Sequence, residues 1–337
     1  MRITWLFAAL LALPLLLSAQ PKPPVASVPA ARRAYLAGDV AALRSRLPGL
    51  QKTLPRSPAT RFYTAYCAYK TDADDQVALR AYSDIIRDSP DFAEAYHARA
   101  ELFANKGLDD RAIADASKAL ELTGASAPGL YYTSRANHYY RAGNLPAALA
   151  DYKAAIGKEP ADAANYRGLI NTALKAGAPA EAETVLRDAL AGAQANSAPI
   201  RMAYADLLLR TNRPAEADAA VTLALAVTGF AANALDYDLA MVVAYKRKDF
   251  ARALTYSDHA LALDRHDANR YVNRASIFID QQRWEDVYTC AQQALALNPD
   301  SSMANMMMAV GVMRTNRGTD LANQYQAKAK QLDAAGK

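Results

Sequence analysis

A pattern of aromatic, Arg-Ala, aromatic, Gly, Ala, Asp and Ala returns along this chain every 34 to 36 residues. It is clearest when YYTSRANHYYRAGNLPAALADYKAAIGKEP, from Tyr131, is set over AYHARAELFANKGLDDRAIADASKALELTG, from Ala95. The same frame places repeat starts near Ala59, Ala93, Gly129, Ala163, Ala198, Ala234, Ala268 and Ser302. A period of this size restricts the fold severely. Each repeat is one supersecondary unit too small to bury its own apolar face, so neighbours must stack on one another.

The recurring residues say what each repeat contains. An aromatic stands at the fourth place in Phe62, Tyr96, Tyr132, Tyr166, Tyr237 and Tyr271. Alanine recurs at the eighth place (Ala100, Ala136, Ala205, Ala275, Ala309) and at the twentieth (Ala78, Ala112, Ala148, Ala182, Ala217, Ala253). It recurs again at the twenty-seventh, as in Ala119, Ala155 and Ala294. Small side chains at such spacing let two antiparallel helices approach closely. Gly107, Gly143 and Gly177 suit a left-handed turn between them, Asn212 and Asn316 tolerate one, and Pro90, Pro160 and Pro299 end repeats. This frame resembles the tetratricopeptide repeat family of helix-turn-helix units. The resemblance implies an all-α, right-handed solenoid, with seven repeats over residues 59–301 and a partial repeat and capping helix over 302–337. Residues 31–58 read as a degenerate leading repeat whose second helix is cut by Pro48.

Composition agrees with helix. The chain is 52% hydrophobic, rich in alanine, with 14 Gly and 16 Pro in 337 residues, and has no convincing alternating strand. Its net charge of +5 is spread along the sequence, unlike the concentrated basic stripe of a nucleic-acid binder. At the N-terminus, Arg2 precedes the apolar run WLFAALLALPLLL and then Ser18-Ala19. That run is too short to cross a bilayer comfortably and reads as a signal peptide over residues 1–19, with an uncleaved anchor as the alternative. A proline-rich linker, residues 20–30, follows. The expected location is therefore periplasmic or secreted, with no membrane span after cleavage. The two cysteines, Cys67 and Cys290, lie about six repeats apart and are expected as free, packed thiols.

No catalytic or metal signature is present among the four histidines, and neither a phosphate loop nor a nucleophile elbow occurs. The expectation is a non-enzymatic protein without cofactor. Arg99–Asp115 and Arg135–Asp151, each sixteen residues apart, read as ion pairs within a repeat, while Arg274 meets Cys290 and needs another partner.

In the family, the first helix of each repeat lines an inner groove through places two, five, nine, twelve and thirteen. Carried over, these include His97, Glu101, Thr133, Asn137, Tyr140, Arg141, Arg167, Asn171, Lys175, Asp206, Arg210, Asp238 and Lys246. Asn137 and Asn171 share the ninth place of neighbouring repeats, where an amide can both donate to and accept from an extended peptide. Arg167 could hold a carboxylate. The Lys and Asn pattern of chaperone-tail binders does not recur. Arg141, Lys175, Arg210, Lys246 and Arg314 share the thirteenth place, either as a ladder for an acidic partner or as cations opposing helix dipoles. Met303, Met306, Met307 and Met313 offer core packing, an adaptable partner surface, or soft ligands for Cu(I). The sequence thus points to an adaptor that binds a protein or peptide in its groove. The competing readings are an envelope subunit held by its ends and convex face, a copper handler, and an enzyme.

Overall fold

The computed structural model describes residues 27–335. The segment read above as a signal peptide, residues 1–19, and most of the stretch read as a linker, residues 20–30, lie outside them. Among the described residues the secondary structure is helical throughout, with no strand. The helices fall into two compact bodies, one ending at Gly124 and the other running from Ala125. The first holds α1 (Val28–Leu36), α2 (Val40–Thr53), α3 (Pro58–Asp72), α4 (Asp75–Asp88), α5 (Ala93–Asn105) and α6 (Asp109–Thr123). The second opens with α7 (Gly129–Arg141), α8 (Leu145–Lys158), α9 (Ala163–Lys175), α10 (Pro179–Ala191), α11 (Ala198–Arg210) and α12 (Pro214–Leu225). It closes with α13 (Ala234–Lys246), α14 (Phe250–Leu263), α15 (Ala268–Asp280), α16 (Trp284–Leu297), α17 (Ser302–Arg314) and α18 (Thr319–Ala334).

Each body is a stack of antiparallel hairpins, the helical-repeat solenoid class. Within a body, consecutive helices pack on each other, and α7, α9, α11 and α13 also touch in sequence, forming one layer of first helices. The alanines at the crossings explain the tight approach. Ala100, Ala112, Ala136, Ala148, Ala182, Ala205, Ala217, Ala253 and Ala275 are all wholly buried. Any larger side chain there would force the helices apart.

The turn between the two helices is built the same way every time. The fifteenth residue of each repeat has positive φ, from Gly107 (72°) and Gly143 (80°) to Asn212 (59°) and Asn316 (56°). Ala73, Lys248 and Gln282 adopt it too, at 52°, 60° and 57°. A β-carbon in this region costs about 1–2 kcal/mol, so packing of the flanking helices must hold these three turns.

Burial follows a different residue from the one the repeat pattern marks. Phe62 and Tyr166 are wholly buried, but Tyr96, Tyr132, Tyr237 and Tyr271 are only half-buried. From the second repeat onward the residue one place earlier is buried in every repeat: Ala95, Tyr131, Asn165, Ile200, Asp236, Arg270 and Ala304. Two of the polar ones join repeats. Thr133 Oγ1 donates to Asn165 Oδ1 at 2.6 Å, and Arg270 Nε donates to Asp238 Oδ2 at 2.9 Å, each spanning 32 residues. The fourth place carries a second role. Tyr166 OH donates to the carbonyl of Pro160 at 3.0 Å, and Asn305 Nδ2 to that of Pro299 at 3.1 Å. Arg201 makes the same bond to Ala195, again six residues back. The repeats that lack the aromatic therefore keep a donor that ties down the preceding loop.

The expected ion pairs form as two-pronged contacts. Arg99 Nε and Nη2 reach Asp115 at 2.6 and 2.9 Å, and Arg135 reaches Asp151 at 2.7 and 2.8 Å. Arg274 pairs with Asp258 of the preceding repeat at 2.6 Å. Both cysteines are free and buried, and burial pushes the Cys290 thiol up to about 11.

Two expectations for the leading repeat need correction. The helix α1 begins at Val28, inside the segment assigned to the linker, because Ser27 caps it and Pro29 falls in the first turn, where its missing N–H costs nothing. Pro48 does not cut α2, which runs through it. Leu43, Leu47 and Leu50 on one face are buried and hold the helix across the lost hydrogen bond, while Pro48 itself is exposed. Replacing Pro48 with Ala should therefore stabilise α2 by about 2 kcal/mol, since nothing else leans on the ring. Slower amide exchange across Arg44–Leu50 would register it.

Candidate functional site

The groove residues of the third and fourth repeats converge on one recess of about 370 Å³ on the first-helix layer of the second body. Thr133, Asn137 and Tyr140 from α7 and Arg167 and Asn171 from α9 line it. Its floor is Tyr152 of α8, only 4% exposed, lying against Gly168 of α9. The glycine is required by packing. A Cβ on it would sit 2.2 Å from Cε1 of Tyr152 and 2.5 Å from Cζ, well inside contact distance. Neither Tyr152 nor Gly168 was singled out from sequence. The available signal was a glycine in mid-helix away from any turn, where it costs helix stability unless something needs the space.

Both asparagines are oriented by the protein. Tyr152 OH donates to Asn137 Oδ1. Burial pushes that phenol up to about 12, so it stays a donor at neutral pH. Arg210 Nη1 donates to Asn171 Oδ1 at 2.6 Å and to Asp206 Oδ2 at 3.3 Å. A guanidinium only donates, so the oxygen of Asn171 must face it. With each amide oxygen engaged, the Nδ2 groups are what the two exposed asparagines offer a ligand. Arg167 is exposed at the same recess, with no carboxylate partner among the described residues. The site is a set of donors and wants acceptors: carbonyl oxygens or a carboxylate. The two-way hydrogen bonding expected of the amides is weighted toward donation, since one lone pair of each oxygen is already used.

The thirteenth-place cations do not act as one ladder. Lys175 Nζ lies 4.3 Å from the Tyr140 ring centroid, a cation–π contact that stiffens the recess wall. Arg210 anchors Asn171, as above. Arg314 lies 5.0 Å from the ring of Trp284. Arg141 and Lys246 are exposed in the last turns of α7 and α13, outside the recess. Thr133 and Asp238 are engaged in the bonds between repeats described above. The methionines separate: Met307 packs among α15, α16 and α17, Met306 is half-buried, and Met303 and Met313 are 54% and 51% exposed.

In the first body the groove positions are covered by α1. Arg32 Nε donates to Glu94 Oε1 at 2.6 Å, and Tyr35 OH lies 2.7 Å from His97 Nδ1. Tyr35 also meets Phe62 edge-on, with centroids 5.1 Å apart, and Tyr66 at 4.9 Å. His97 is therefore buried, and Glu101 half-buried, where sequence placed both in an open groove. The reason is the leading helix, whose aromatic side chain turns inward across two repeats. Among the described residues no helix is long and apolar enough to cross a membrane, and no three His, Cys, Asp or Glu side chains gather as metal ligands.

No protein-family model matches the chain, and no curated protein matches it. Solved structures do. A tetratricopeptide repeat protein from Parabacteroides merdae aligns over 76% of this chain and 98% of its own, with 16% identity and a TM-score of 0.54. Yeast Tom70 aligns over 88% of this chain and 61% of its own, at 15% identity and a TM-score of 0.57. A chain of the APC/C heterotetramer Cut9–Hcn1 aligns over 84% of this one at 18% identity and a TM-score of 0.52. The present chain spans 48% of that chain's length. At these identities the likeness is one of fold, and the fold is that of tetratricopeptide-repeat proteins.

Proposed function

We propose that the protein is a non-enzymatic adaptor, exported to the periplasm or beyond the cell, that holds an extended peptide of a partner protein in the recess between α7 and α9. The observation that carries this reading is the paired orientation of Asn137 and Asn171, both presenting N–H groups beside Arg167. Two amides on the ninth place of successive repeats match the backbone carbonyls of an extended segment, and Arg167 matches an acidic side chain or terminal carboxylate within it.

Photo-crosslinkers at positions 137, 171 and 210 of the full chain should capture the partner. If none of the three captures anything from envelope extract, the groove reading fails. For the captured peptide, Arg167→Ala should weaken binding about thirtyfold, the effect of losing a charge-assisted bond of about 2 kcal/mol. Calorimetric titration measures it. The unfolding temperature should stay put, since Arg167 is exposed.

A further inference from the structure

On the second body, away from the groove, the fifth repeat leaves an unfilled place between the second helices. Two recesses of about 480 Å³ each lie there, and Arg201 and Leu223 line both. One is walled by Leu190, Tyr204 and Leu208, the other by Ala226 and Val227. Arg201 stands at the fourth place, where most repeats carry an aromatic ring. The arginine keeps the loop-tying bond to Ala195 but does not fill the space the ring would. Leu223 stands between the recesses and is 53% exposed, a large apolar side chain left to solvent with hollows on both sides.

We infer that this surface of α10, α11 and α12 is a docking site for an amphipathic helix of a partner protein, one that carries acidic residues beside its apolar stripe. The relief suits a helix. Side chains at i and i+4 are about 5–6 Å apart, so two of them can straddle one ridge and enter a hollow on each side. The charge selects the acidic partner. Glu216 is taken by Arg213 at 2.6 Å, and Glu183 by Arg213 at 2.7 Å. Arg201 has no carboxylate partner among the described residues, and Arg187, 69% exposed on the rim, reaches Glu183 only at 4.0 Å. Two arginines are thus available where the apolar wall meets solvent. A guanidinium has five N–H donors, and the one Arg201 donates to Ala195 leaves capacity for a carboxylate.

The test is display selection on the full chain. A library of helices of about 16 residues, roughly 24 Å long, would fix Leu at i and i+4 and randomise the flanking positions. Helices retained by the wild-type chain should be enriched in Asp and Glu beside the leucines. They should lose at least about tenfold in affinity on Leu223→Asp, a change at an exposed side chain that leaves the fold intact. Arg201→Met, which keeps an apolar stem, should weaken acidic helices and leave their amide-substituted versions unaffected. Retained helices with basic or neutral flanks, or equal binding to Leu223→Asp, would overturn the inference. So would dimerisation of the wild-type chain through position 223, or preferential uptake of dodecanoate at the same recess. Crosslinking from positions 137 and 171 is independent of every one of these results, so the groove reading and this one can fail separately.

Discussion

Arg270→Ala should destabilise the second body by about 3–5 kcal/mol. Arg270 is 4% exposed and lies between two carboxylates, donating to Asp238 Oδ2 at 2.9 Å and Asp264 Oδ2 at 2.6 Å, and to the Asp264 carbonyl at 2.9 Å. Removing it leaves Asp238, whose side chain is 20% exposed, without its counter-ion. Burial already pushes the Asp238 carboxyl above its ordinary value even with Arg270 present. The variant should accordingly show a characteristic pH dependence. A carboxyl whose folded value is raised favours the folded state when protonated. The penalty is then full at neutral pH and shrinks as pH falls through that raised value toward the ordinary carboxylate range. Urea unfolding at neutral and mildly acidic pH should show the gap between variant and wild type narrowing. A gap that stays constant would mean that lost packing of the arginine stem, and not the orphaned charge, is the cause. Pairing Arg270→Met with Asp238→Asn should recover a large part of the loss, because no buried charge is then left alone.

Gly168→Ala should also be damaging, and it reverses the usual sign. In an exposed mid-helix position the change would stabilise by about 1 kcal/mol. Here the new methyl would lie 2.2 Å from the Tyr152 ring, which is itself buried, so the ring must leave its seat. Overpacking of this kind costs about 1–3 kcal/mol and outweighs the propensity gain. It also releases Asn137, since the hydroxyl that fixes its amide moves with the ring. The variant should therefore melt lower and bind the groove peptide more weakly, by about tenfold or more. Tyr152→Phe removes only the hydroxyl. It should weaken binding without the loss of packing, and Gly168→Ala combined with Tyr152→Phe should melt no higher than Gly168→Ala. The double change Gly168→Ala with Tyr152→Ala relieves the clash, and its two effects should fall short of additive. Additivity would mean the two residues do not share the contact.

How far the sequence could be read depended on whether a position's chemistry repeats. The crossing alanines, the glycines of the turns and the sixteen-residue spacing of Arg99–Asp115 and Arg135–Asp151 recur, and each describes a local necessity: closeness, a left-handed turn, a pair on facing helices. These were legible. The third place was not, although it is buried from the second repeat onward, because it is filled by Ala, Tyr, Asn, Ile, Asp and Arg in turn. Each of those answers to whatever the neighbouring repeat presents, so the position is constant in burial and variable in chemistry. Ala73, Lys248 and Gln282 escaped for the same reason, since packing imposes their backbone against their own preference.

The candidate site divides along that line. From sequence alone came its members Asn137, Tyr140, Arg167 and Asn171, because a repeat frame assigns a face to each place on the first helix. How their side chains are oriented is set by contacts between helices far apart in the chain. Tyr152 from α8 and Arg210 from α11 turn the two amides one way, and α1 covers the corresponding places in the first body. A periodic sequence determines which residues share a helix face, since 3.6 residues per turn is a local property. Which of them remain open, and whether an amide donates or accepts, depends on side chains that arrive from other repeats, and only the packed structure brings those together.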